Sequence, residues 1–133
     1  EGYCSDCTRT VIVGEPDGRQ REVWLAVREA QMAALEGLRP EMEGREVDAI
    51  ARGVLREHGF ERQFGHGLGH GVGLEVHELP TLGQKSENTL PVGAVVTIEP
   101  GVYIEGWGGV RLEELVVVTE SGCEILTAAP YDL

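Results

Sequence analysis

The sequence predicts an α+β fold, and three observations carry that reading. Two stretches, residues 19–38 and 46–58, repeat apolar side chains at helical spacing. After Leu90, short runs rich in β-branched residues are separated by glycine-containing turns, the pattern of antiparallel strands. Neither an internal repeat nor a linker interrupts the 133 residues, which make one domain by length.

The elements follow in order. Residues 3–13 alternate, with Asp6, Thr8, Thr10 and Ile12 on one face and Cys7, Arg9, Val11 and Val13 on the other, so a strand is expected. Residues 14–18 form a turn cluster that stops it. In the first helix Val23, Val27, Ala30, Ala34 and Leu38 make an apolar stripe, and Pro40 follows its end. In the second, Val47, Ile50, Ala51, Val54 and Leu55 face inward, and Gly59 stands where a left-handed cap belongs. Both helices read as scaffold. Residues 83–88 are a polar loop, 92–99 a strand, 102–104 its extended continuation and 105–109 a turn. Residues 110–119 give the clearest strand, with Arg111, Glu113, Leu115 and Val117 on one face and Glu114 pointing away. A turn at Ser121 and Gly122 leads to a last short strand, 124–127.

The formal net charge of −12, from 11 basic and 23 acidic residues, argues against nucleic acid or an anionic membrane surface as partner. No apolar run approaches the length of a membrane span. The opening EGYCSDCTRT carries no secretory pattern and already reads as strand, so a cytoplasmic location is expected, and a fragment of a longer protein. Three cysteines do not make a disulfide framework. Cys4 and Cys7 would point to opposite faces of a strand, and no second pair completes a zinc site.

Residues 64–80, FGHGLGHGVGLEVHELP, hold His66, His70 and His77 with Glu75 and Glu78 on glycine-rich backbone. Imidazoles this close suggest a metal site or an acid–base site; hydrogen-bonded structural histidines are the alternative. Three carboxylates stand where strand geometry expects core: Asp6, Glu99 after an apolar VVTI run, and Glu113 within VRLEELVVV. A buried carboxylate is costly unless paired, and either Arg9 and Arg111 or a metal could pair them. Oxygen ligands with one or two imidazoles suit manganese, cobalt, iron or zinc. Two such ions, about 3.5–4 Å apart and bridged by carboxylates, can deprotonate a water and polarise a carbonyl, which is metal-assisted hydrolysis. His70 and His77 are seven residues apart, so a regular strand would send them to opposite faces; a shared site requires a bulge or a loop.

YCSDCTRTVIVG, HGLGHGVGLEVHE, TIEPGVYI and GGVRLEELVVVTESG, in one order from about Gly2 to Leu126, together resemble the Xaa-Pro peptidases, prolidase and aminopeptidase P. These belong to the pita-bread family, which also holds methionine aminopeptidase and creatinase. The resemblance implies that residues 1–133 are the C-terminal portion of a pita-bread catalytic domain, a curved antiparallel sheet with two helices packed on it. It implies a metal-dependent exopeptidase that hydrolyses Xaa-Pro bonds through a metal-bridging hydroxide. Two divalent ions are implied for the complete protein, manganese foremost, with cobalt, zinc or iron as alternatives. The implied partners are a peptide with proline after its N-terminal residue and either a second copy, as a homodimer, or the missing N-terminal part. The alternatives are a methionine aminopeptidase-like or creatinase-like hydrolase, or a non-catalytic pita-bread binding module.

Residue by residue, the resemblance implies that Asp6 and Glu113 bridge two metals, and that His70 and Glu99 bind one of them. His66 and His77 would line the substrate pocket as catalytic residues, with His77 donating to the reacting peptide. Arg111, with His66, would bind substrate and shape the pocket for the residue in the proline position. The family's first aspartate ligand would lie upstream of residue 1. The 133 residues alone are therefore expected to hold at most one metal well and to be nearly inactive. Glu114 stands where the family usually has aspartate, with little effect expected.

Overall fold

The computed structural model describes residues 1–131. Helix α1 (Gly18–Gly37) opens on a capping box: Asp17 accepts from the Gln20 N–H, and the Gln20 side chain accepts from the Asp17 N–H. The helix buries Val23, Val27, Ala30 and Ala34, and stops where Leu38 turns extended ahead of Pro40. Helix α2 (Gly44–Glu57) begins two residues before the expected start and ends at Gly59, whose φ of 78° is the expected left-handed cap. Its buried face is Val47, Asp48, Ala51, Arg52 and Leu55, whereas Ile50 and Val54 are half-buried. The inward stripe is thus rotated toward two charged residues.

Seven strands follow: β1 (Gly69–Gly71), β2 (Glu78–Leu82), β3 (Val95–Ile98), β4 (Gly101–Ile104), β5 (Gly108–Arg111), β6 (Glu114–Val118) and β7 (Cys123–Ile125). Five form an antiparallel sheet in the order β2-β1-β3-β6-β7, and β4 and β5 form a separate antiparallel ribbon. Val96, Ile98, Val102, Val110, Leu112 and Val116 meet the apolar faces of both helices in one core. The architecture is α+β, as the sequence predicts. Among the described residues, no helix is long and apolar enough to cross a membrane.

Three expectations are corrected. Residues 3–13 are extended but form no strand. Two backbone bonds tie the segment to its neighbours, Cys4 N–H to Gly73 C=O at 2.8 Å and Glu113 N–H to Thr8 C=O at 3.0 Å. One step on, the Thr10 hydroxyl takes the place of the ladder, accepting from the Arg111 N–H and donating to the Arg111 carbonyl. The alternation of faces nevertheless holds, since Thr8 and Thr10 meet residues 111–113 while Arg9 turns to Glu114. The expected strand 110–119 is broken at Leu112 and Glu113, where the chain crosses from the ribbon into the five-stranded sheet. The expected strands 92–99 and 124–127 shorten to β3 and β7, because Val92 and Gly93 belong to a turn and pairing ends at Ile125.

Candidate metal centre

The centre lies where β1, the end of β3, the break before β6 and the extended N-terminal segment converge. β1 can approach β3 only because residue 69 is glycine: a Cβ there would overlap the Thr97 carbonyl oxygen. This places His70 beside the end of β3, with its N–H donating to the Thr97 hydroxyl at 3.0 Å. The register between β1 and β2 shifts at Gly69 and Gly71, and residues 72–77 loop back before β2. The His70 and His77 rings therefore meet, centroids 4.0 Å apart, which is the irregular backbone that seven-residue spacing requires.

His70 Nδ1 lies 3.0 Å from the Gly71 carbonyl. A carbonyl only accepts, so Nδ1 carries a proton and Nε2 is the ring nitrogen available to a metal ion. Nε2 faces Glu99 Oε1 at 3.1 Å and Asp6 Oδ2 at 3.7 Å. Asp6, His70 and Glu113 each offer a donor atom, all within 4.8 Å of one another, and Glu99 joins the group through His70. Thr97 and Thr8 orient the outer carboxylates, their hydroxyls donating to Glu99 Oε1 and Glu113 Oε2.

Glu113 is 2% exposed, yet among the described residues its Oε1 has no hydrogen-bond partner. Its carboxyl is held above the usual range, first by burial, with the Glu99 and Asp6 charges adding to it and the Thr8 bond opposing. The local arginines answer these charges only in part, the Arg111 charge opposing the upward shift of Glu113. Arg9 pairs with Glu114, and Arg111 Nε is 3.9 Å from Glu99 Oε2 while donating to the Thr8 hydroxyl. An imidazolium would bring one proton to the cluster; a divalent cation answers the imidazole lone pair and the carboxylates together. The donor set, oxygen with one imidazole, fits a hard or borderline divalent ion.

Beside this cluster His66, His70, His77, Glu99 and Arg111 line a depression of about 290 Å³. His66 Nδ1 donates to its neighbour's carbonyl, Gly67, at 2.7 Å, so Nε2 accepts from the Tyr103 hydroxyl at 2.9 Å. That hydroxyl in turn accepts from Arg111 Nη1 at 3.3 Å. Tyr103 was not singled out by the sequence: β4 offers no pattern that separates it from any half-exposed strand residue. The exposed His77 ring has no hydrogen-bond partner among the described residues and packs on His70. Glu75 and Glu78 lie outside the cluster, with the Glu78 carboxylate accepting from the Glu75 N–H. Glu114 does point away from the centre, as expected.

A helix-backed antiparallel sheet with carboxylates and one imidazole gathered near its strand ends is a pita-bread architecture. The chain belongs to metallopeptidase family M24, whose model matches residues 1–120, and the family implies divalent metal ions. It is 49% identical over 131 residues to the Xaa-Pro dipeptidase of Pyrococcus furiosus, covering 98% of this chain and 38% of that protein. Among solved structures, the Xaa-Pro dipeptidase from Bacillus anthracis matches with a TM-score of 0.97 and 47% identity over 99% of this chain and 37% of its own. The X-Pro aminopeptidase from Thermotoga maritima matches with a TM-score of 0.95 and 47% identity, covering 98% and 37%. The chain thus spans under two fifths of the length of these relatives.

Proposed function

We propose that this chain carries the larger part of a site that hydrolyses Xaa-Pro peptide bonds. The observation that carries the reading is the set of mutually facing acceptors, His70 Nε2 with Asp6, Glu99 and the orphaned Glu113 Oε1. Asp6 and Glu113 would bridge two ions, with His70 and Glu99 holding one of them. Bound there, divalent ions, manganese foremost, supply Lewis acidity to the scissile carbonyl and acidify a water. His77, whose ring nitrogens are uncommitted, donates a proton to the reacting peptide; the leaving proline nitrogen needs one to depart as an amine. His66 and Arg111, fixed through the Tyr103 hydroxyl, shape the pocket for the proline residue. Cytoplasmic location, and association with a second copy or a complementing segment, belong to the same proposal; exposed Val11, Val13, Leu74 and Leu79 support the latter.

The division of roles is tested by two variants. In the complete protein, His70→Ala is expected to lose bound metal, by elemental analysis, whereas His77→Ala keeps its metal and loses about 10²–10⁴-fold in turnover, the usual contribution of a general acid. Equal metal loss from both would refute the division.

The 133 residues by themselves are expected to bind at most one manganese ion tightly and to cleave Xaa-Pro dipeptides and longer Xaa-Pro peptides slowly. Full activity with added manganese would contradict this. Preference for peptides without proline would favour a methionine aminopeptidase-like reading.

A further inference from the structure

Glu113 sits at the break between β5 and β6, where no sheet ladder fixes its backbone. Its N–H goes to the Thr8 carbonyl, its C=O accepts from Arg9 Nη1, and its Oε2 accepts from the Thr8 hydroxyl. The Cys7 thiol also reaches the Glu113 carbonyl, at 3.8 Å, so the hydrogen bonds that hold Glu113 in place come from residues 7–9, with the guanidinium of Arg9 the one charged donor among them.

Arg9 has five N–H donors, and the structure occupies each of them. Nε donates to the Pro130 carbonyl at 3.1 Å. Nη1 donates to the carbonyls of Thr8, at 3.0 Å, and Glu113. Nη2 donates to the Ala129 carbonyl at 2.9 Å and to Glu114 Oε1 at 2.7 Å. Glu114 is buried, and it also accepts from the hydroxyls of Thr127 and Tyr131. The Tyr131 ring lies against the Arg9 guanidinium at 3.9 Å and the Arg28 guanidinium at 3.8 Å. Residues 127–131 thus form a strap that closes over Arg9.

We propose that Arg9, locked by Glu114 and this strap, is a positioning residue for the Glu113 carboxylate. The inference rests on the reading of Glu113 as a metal ligand. Arg9 touches neither the metal ligand atoms nor the substrate depression; it acts through the Glu113 peptide. Lysine cannot replace it, because three donors on one nitrogen cannot span the five acceptors that the planar fork reaches.

The test is calorimetric titration of this chain with Mn²⁺, well below the Tm of each variant, so that a loss of stability alone leaves the affinity unmoved. His70→Ala is expected to remove the binding, which assigns the titrated ion to this centre. Arg9→Lys is expected to weaken Mn²⁺ about tenfold or more, as loss of the groups that orient metal ligands generally does. Arg45→Lys, in an exposed pairing with Glu43 and Glu87, should bind as the unaltered chain does. Unchanged affinity in a folded Arg9→Lys overturns the clamp and leaves the metal centre standing. Should Arg9→Lys not fold, Tyr131→Phe decides, because it keeps the ring over Arg9 and removes only the hydroxyl that reaches Glu114 and Gln31. Weakened Mn²⁺ binding in that variant supports the clamp, and unchanged binding overturns it. An unaltered chain that binds no Mn²⁺ overturns the centre itself, and the clamp with it.

Discussion

Replacing Arg52 with alanine is expected to cost about 3–5 kcal/mol of folding stability, the range for breaking a buried ion pair by removing one partner. The Arg52 and Asp48 side chains are 7% and 1% exposed and meet through two bonds, of 2.8 and 3.0 Å, one helical turn apart. The pair also holds the loop that leads into the centre. Arg52 donates to the carbonyls of Phe64 and His66 at 2.9 and 3.0 Å, and Asp48 Oδ1 accepts from the Leu68 N–H at 3.1 Å. The Leu68 carbonyl then accepts from the Glu99 N–H, so a shift of this loop reaches a proposed metal ligand. Alanine leaves a buried charge without its partner and two carbonyls without donors. Against an ordinary domain stability of about 5–15 kcal/mol, this is measurable as a fall in the urea midpoint. The double variant Asp48→Leu/Arg52→Met is not expected to recover it, because backbone groups at Phe64, His66 and Leu68 stay unpaired. Full recovery would show that the pair only fills space.

Why Asp48 and Arg52 escaped the sequence reading is physical. A charged residue beside an apolar stripe looks like the edge of a solvated face, and periodicity scores Val47, Ala51 and Leu55 whether or not their neighbours are buried. The available indication was an acid and a base four apart, flanking the stripe. The candidate metal set was more legible. Asp6, Glu99 and Glu113 stood out as carboxylates in β patterns and His70 through the glycine–histidine stretch and the family resemblance, and the structure brings these four together. The strand assignment for residues 3–13 failed for a different reason. Alternation reports which side chains share a face, and Thr8 and Thr10 do; it does not report whether a hydroxyl or a backbone group makes the lateral bonds. Likewise, nothing local in VRLEELVVV shows that it changes sheets at Leu112, because that break is set by partners far along the chain, Pro100 and Thr8.

Glu113→Gln is expected to act with opposite signs on metal binding and on folding. Removing the charge proposed to bridge the ions should abolish tight Mn²⁺ binding. In the metal-free protein the same change should stabilise, by about 1–2 kcal/mol, because the wild-type carboxylate is buried, has an orphaned oxygen and is repelled by Asp6 and Glu99. Glutamine keeps the shape, can still accept from the Thr8 hydroxyl, and turns amide hydrogens toward acceptors in place of a like charge. Thermal unfolding in the presence of a chelator should show Tm higher by about 3–10 °C. Asp48→Asn is the matched control, since that carboxylate is equally buried but already answered by Arg52, and its loss should lower Tm. A carboxylate kept for a cation and one kept for the fold are thus separated by the sign of the same chemical change. A fall in Tm for Glu113→Gln would place Glu113 with Asp48, among the residues that hold the chain together.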